Sequence, residues 1–186
     1  FAPFLLVRTE DGLELPIRWA DTRVLPALLA ELPPAHVEML CAPMLVWLAP
    51  QRDGRLAGWQ GGGATTLPTP EFDMLPLGDA EYVRLVQASE EDALLTQLQA
   101  RHSEVLARHA PHVCHQRVSD IVRVAERSGI DASAIRVHLA LLSLQLRPDF
   151  AHHPAMAEAL ENTARGGDYA AHIRALPERF WQEAAC

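Results

Sequence analysis

The sequence predicts an α+β protein: a small antiparallel sheet with two short helices, then a Gly/Pro-rich linker and an all-α helical bundle. Three observations lead there. Short apolar runs of period two occupy the first part of the chain, punctuated by Asp11-Gly12 and Asp53-Gly54, which are hairpin signals. Gly61-Gly62-Gly63 is followed by Thr and Pro residues up to Pro70, a composition that favours an exposed connector over a packed element. From Gly78 onward the leucines and valines recur at three and four, the spacing of one buried helix face. The expected organisation is therefore an α+β lobe over 1–60, a linker over 61–77 and a helical lobe over 78–186.

The elements follow in order. Phe4 to Arg8 reads as a first strand and Leu13 to Trp19 as a second, with Pro16 confining the latter to an edge or bulge because proline donates nothing to a ladder. Asp21 is placed to cap a leucine-faced helix running to about Leu32. Pro26 lacks the N–H that a second-turn residue would donate, so the first turn is expected to be irregular. Pro33-Pro34 ends that helix and Pro34 starts the next, Ala35 to Cys41. Met44 to Ala49 and Arg55 to Trp59 are strands joined around Asp53-Gly54.

In the helical lobe, Asp79 is expected to cap Ala80 to Ala88, and Ser89-Glu90-Glu91-Asp92 resembles a capping box. The next helix carries Leu94, Leu95, Leu98, Val105 and Leu106. Pro111 separates it from His112 to Ser128, where Gly129 supplies a left-handed stop. Asp131 or Ser133 caps Ala134 to Leu146, which is apolar almost all round and so belongs at the centre of the bundle. Pro154 to Ala164 is closed by Gly166-Gly167. Asp168 caps a short helix to Leu176, and Pro177 starts the last, with Phe180 and Trp181.

Composition limits the function. A chain of 186 residues can bury ~70% of the surface it exposes unfolded, and 49% apolar with 22% charged residues argues against disorder. The net charge is −8, and with no Lys all sixteen cations are Arg. No basic run is present, so nucleic acid is a poor partner, since phosphate contacts supply most non-specific affinity. No apolar run approaches the ~18 residues that span a bilayer and no secretory signal is visible, so no membrane partner is expected. Cys41, Cys114 and Cys186 are odd in number and far apart, which fits a reducing compartment, the cytoplasm by default.

Catalytic motifs are absent: there is no G-x-S-x-G elbow, Walker loop or dinucleotide fingerprint. His109, His112, Cys114 and His115 are the tempting cluster, because imidazole and thiolate are good zinc ligands. Pro111 interrupts them and no H-E-x-x-H or paired C-x-x-C accompanies them, so the bland reading is a surface loop with incidental histidines. His152-His153 before Pro154 reads as a solvated turn. No metal or cofactor is expected. Cys114 beside His115 is no nucleophile–base pair, because neighbours on a helix do not face each other.

The richest stretch is Arg18-Trp19-Ala20-Asp21-Thr22-Arg23-Val24-Leu25. Read locally it is a strand-to-helix corner pinned by one carboxylate and two guanidinium groups, serving as an internal brace or as a partner contact. It also resembles the core motif of the type VI secretion effector-adaptor (chaperone) family, which loads effectors onto the VgrG spike. The order that follows is similar too: a helix ending in Leu-x-Pro, a short helix, the strand Met44-Leu45-Val46-Trp47-Leu48, then Ser128-Gly129-Ile130, Arg147-Pro148-Asp149-Phe150, His153-Pro154 and a late Trp. The resemblance covers the chain from about Leu13 onward. Ala20 and Thr22 stand where the family has an aromatic and a Pro, and the family's further upstream subdomain is missing ahead of Phe1. The chain thus resembles a piece of a longer adaptor.

The resemblance implies a non-enzymatic cytoplasmic protein that binds a secreted effector and delivers it to the VgrG or PAAR spike. Arg18, Trp19, Asp21 and Arg23 are then the partner-binding or structural corner. The alternatives are a metal-dependent hydrolase using the His109–His115 cluster, and a generic helical protein-interaction module.

Overall fold

The computed structural model describes residues 2–52, 54–66 and 69–185. Phe1, Asp53, Leu67, Pro68 and Cys186 lie outside the described residues. With them go the Asp53 half of one hairpin signal, part of the linker and one cysteine. The chain is mixed α/β and divides into two compact units, 1–90 and 91–186.

Unit 1 holds β1 (Leu6–Thr9), β2 (Glu14–Pro16), α1 (Leu25–Glu31), α2 (Pro34–Cys41), β3 (Val46–Pro50), β4 (Leu56–Gln60), β5 (Leu75–Leu77) and α3 (Asp79–Gln87). The single antiparallel sheet expected from the sequence is in fact two sheets. One has the order β2-β1-β5, with β2 antiparallel and β5 parallel to β1. The other is the β3–β4 hairpin, which pairs Trp47 with Trp59 and Leu48 with Gly58.

Strand β5 corrects the domain boundary. Within the expected 61–77 linker, Leu75 and Leu77 are buried while Pro76 between them is exposed, the alternation of a half-buried strand. α3 packs on α1, where Arg84 pairs with Glu31 at 2.5 Å. The first unit therefore extends through α3 to residue 90. Its core is Phe4, Val7, Leu25, Leu28, Leu29, Leu32, Leu40, Ala49, Leu75 and Leu77.

Unit 2 holds the greater part of α4 (Glu90–Arg101), then α5 (Ser103–Leu106), α6 (Pro111–Arg127), α7 (Ser133–Gln145), α8 (Pro154–Ala164), α9 (Tyr169–Arg174) and α10 (Glu178–Ala184). α7 packs against α5 and α6, and Leu139 and Ala140 in its middle are fully buried. Its hydrophobic face is shared by neighbours on more than one side, as its all-round apolar sequence predicts. The C-terminal segment closes back on α7 through a Leu146–Ala185 bridge, with Arg147 N donating to Ala184 O at 2.8 Å.

Two helix stops behave as the glycines predict. Gly129 has φ +69°, Ile130 N donates to Ala125 O and Gly129 N to Glu126 O. That is the paired closure of a Schellman end, which needs a left-handed residue after the cap. Gly166 (φ +94°) closes α8 the same way, with Gly167 N on Asn162 O.

Several caps differ from expectation. Asp168 does cap α9, accepting from Ala170 N. Asp79 instead lies inside α3, whose cap is Gly78. Ser89 donates its hydroxyl to Val86 O at the end of α3. Asp131 turns to Arg136 and leaves Ala132 to precede α7 without a side-chain cap. At Ser89 and Asp131 the short polar side chain found a nearer partner than the helix N–H groups, the competition that makes Ser and Asp versatile. His102 breaks the long fourth helix in two, with φ −139° and ψ 39° between α4 and α5.

Candidate interaction site

The Arg18–Arg23 corner is built on backbone first. Asp21 N donates to Arg18 O at 2.8 Å, and Val24 N and Leu25 N both return to Asp21 O. The chain is already turning helically at Asp21. α1 nevertheless begins only at Leu25, because Pro26 has no N–H to give Thr22 and the ladder loses its second rung. Asp21 is thus not the helix cap that the sequence suggested. Its carboxylate accepts from Arg23 N at 3.1 Å, holding the turn that leads into the helix.

One arginine, not two, pairs with that carboxylate. Arg23 Nε and Nη2 donate to the two Asp21 oxygens at 2.8 and 2.6 Å, the planar fork that suits a carboxylate. The Arg23 hydrogen bonds hold the Asp21 carboxyl down at about 2, aided by the more distant charge of Arg18. Arg18 itself is exposed and makes no ion pair with Asp21 among the described residues. Arg52 feels the charges of this pair. It is half-buried, and burial pushes its guanidinium below the usual value, with Arg23 adding to that and Asp21 opposing it. Nothing in the spacing of Arg52 from Asp21 signals that electrostatic influence, which the fold creates.

Trp19 joins the corner to the hairpin. Its indole N–H donates to Phe4 O at 2.6 Å, and its ring lies 5.7 Å from Trp47, which in turn lies 6.2 Å from Trp59. The Trp47–Trp59 contact is a direct cross-strand pair, and such pairs are the unit of hairpin stability. All three indoles are half-buried, so they act here as the hairpin's inner layer.

The outer face of the same hairpin is apolar and open. Leu48 is 56% exposed and Leu56 67%, with Val46 beside them, and Leu45, just ahead of β3, is 77% exposed. Tyr82, Val83 and Val86 make a second exposed apolar row on α3.

In unit 2 the histidine cluster does not converge. His109 Nε2 lies 2.7 Å from Leu144 O, at the end of α7. Cys114 is buried, with its thiol 3.7 Å from Leu106 O, and burial raises its pKa. His112 is exposed. Among the described residues no three His, Cys, Asp or Glu side chains are arranged to hold a metal ion. His153 is not a mere solvated turn residue: Nδ1 accepts from Ala155 N as the cap of α8, and Nε2 lies 3.2 Å from Glu183. With Nδ1 committed to the backbone it is a brace between α8 and α10. Only the Pro at 154 hinted at a cap one residue earlier.

A groove of 510 Å³ runs along α6, lined by Arg117, Ile121, Val124, Phe150, Ala151 and His152, among others. Arg117 is occupied, donating to Ser143 O and Leu146 O at 3.1 Å each. It closes the carbonyl end of α7, where a cation is favourable.

Family models, curated proteins and solved structures were all compared with the chain. None of them matches. No helix among the described residues is long and apolar enough to cross a membrane.

Proposed function

We propose that this chain is part of an adaptor that binds a type VI secretion effector and hands it to the VgrG or PAAR spike, without catalysis and in the bacterial cytoplasm. The observation that carries this reading is the run Arg18 to Leu25 with the ordered features that follow it. The corner supports it in one respect. Asp21 and Arg23 are locked to each other and Trp19 to Phe4 O, so the motif residues hold the first unit in shape for whatever it binds. Exposed apolar residues concentrate in that unit, which suits a protein whose work is contact.

The test is a pull-down from native bacterial lysate with the full-length protein as bait, read by mass spectrometry. Recovery of a toxin-like protein together with VgrG or PAAR is the expected result. Recovery of neither, with the secretion genes expressed, ends the adaptor reading. A second reading, a helical interaction module, draws on the separate core of unit 2. It wins if residues 91–186 alone fold and retain all partner binding.

A further inference from the structure

We infer that the outer edge of β4 is a docking site for an extended, uncharged polypeptide segment, which adds to the hairpin as a third strand.

The hydrogen-bond phase of the hairpin fixes which backbone groups are free to do this. Gly61 N donates to Leu45 O and Gln51 N to Arg55 O. With the register Trp47↔Trp59 and Ala49↔Ala57, the bonded positions on β4 are the odd ones. Bonded and non-bonded pairs alternate along an antiparallel ladder. The N–H and C=O groups of Leu56, Gly58 and Gln60 therefore point away from β3. All three residues are exposed, and they enter no other hydrogen bond among the described residues.

The other sheet edges carry the usual protection. β2 has Pro16, β5 has Pro76 and β3 has Pro50, and proline blunts an edge by removing a donor. β4, Leu-Ala-Gly-Trp-Gln, has neither a proline nor a charge.

The occupant follows from area and charge. The hairpin face is ~17 Å long and ~10 Å wide by strand geometry, on the order of 170 Å². Stable dimers bury about 800 Å² per partner, and two copies of a chain of net charge −8 repel. A second copy is thus a poor occupant, whereas a single extended strand obtains its affinity from main-chain bonds and needs little area. Neither β3 nor β4 bears a charged side chain, so the matching segment is uncharged, with apolar side chains at alternate positions. These would extend the open face of Val46, Leu48 and Leu56. This inference does not rest on the adaptor reading, because it concerns the shape of the bound segment and not its source.

The test uses the whole chain, isotope-labelled, and the acetylated, amidated peptide Ser-Val-Thr-Val-Ser-Val-Thr as probe. The expected result is saturable binding tighter than ~1 mM, with hydrogen exchange at the Leu56, Gly58 and Gln60 amides slowed ~10-fold. Two N-methylated versions of the peptide, at odd or at even residues, separate strand addition from apolar adhesion. One should lose binding and the other keep it. Gly58→Pro removes the central outward donor and should abolish binding. Should that variant fail to fold, Leu56→Lys charges the edge without touching the backbone and should weaken binding at least ~10-fold. Equal binding of both methylated peptides, no slowing of exchange, or a concentration-dependent dimer protected at β4 would each overturn the proposal.

Discussion

The two units solve the problem of burial differently. Among the described residues, unit 2 sinks 22 into one continuous helical core, and every large hydrophobic one found well exposed belongs instead to unit 1. Unit 1 spreads ten buried residues beneath two small sheets and three helices. A two-stranded hairpin has only one covered face, so the side chains of the other must meet water or a partner. Helices packed around α7 have no such second face. The second unit covers its own apolar surface, whereas the first leaves apolar side chains open to solvent.

The largest test of that contrast is in unit 2. Leu139 on α7 is fully buried, and Leu139→Ala should cost about 2–5 kcal/mol through lost contacts and a residual cavity. Chemical denaturation followed at Trp181, the tryptophan of unit 2, measures it. A loss below about 1 kcal/mol would mean that α7 is not the packed centre.

Gly61→Ala comes next. A Cβ there would collide with the Cys41 and Met44 carbonyl oxygens, which are backbone and cannot swing aside. We expect a loss of about 1–3 kcal/mol, the range for overpacking, seen in denaturation followed at the Trp47–Trp59 pair. A neutral result would show that unit 1 is looser still than its thin core suggests.

The corner should make a smaller, pH-dependent contribution. Asp21 is depressed from 3.8 to about 2 in the folded chain, chiefly by its Arg23 hydrogen bonds. A depressed carboxylate stabilises the fold fully above its unfolded value and loses that contribution as pH falls toward its folded one. Because Arg23 is half exposed, the gain is about 1 kcal/mol. Arg23→Met should lose it at pH 7 but match the parent near pH 2. An unchanged difference across that window would place the effect in packing and not in the ion pair.

The smallest effect is the most telling. Leu48→Ser lies on the open hairpin face, where Leu48 is 56% exposed, and should alter stability by no more than ~0.5 kcal/mol. A large loss would mean that this face is already covered in the isolated chain.

Much of unit 2 was legible because its signals are local. Gly129, Gly166 and Asp168 act within one turn of their own position, and the apolar spacing of 118, 121, 122 and 125 on α6 is the buried face observed. Unit 1 was read less well. Its second strand shrank to Glu14–Pro16, and three residues inside the expected linker became β5. The alternation Leu75-Pro76-Leu77 was a signal, but three residues are too few to outweigh the Gly/Pro stretch before them. Of the corner, Trp19 and the Asp21–Arg23 pair were visible. The absence of Arg18 from the pair and the electrostatic influence on Arg52 were not.

By itself the sequence determined the mixed α/β class, the helix stops, the irregular start at Pro26 and the residues of the corner. Each of these follows from φ preference, a missing donor or a charge within a few positions. Tertiary structure alone decided that β5 runs parallel to β1, that Arg52 falls within the electrostatic influence of Asp21 and Arg23, that His153 braces α8 to α10, and that β4 keeps an unguarded edge. Those depend on pairing partners far apart in the chain, chosen by the burial they jointly achieve and not by any residue's own preference.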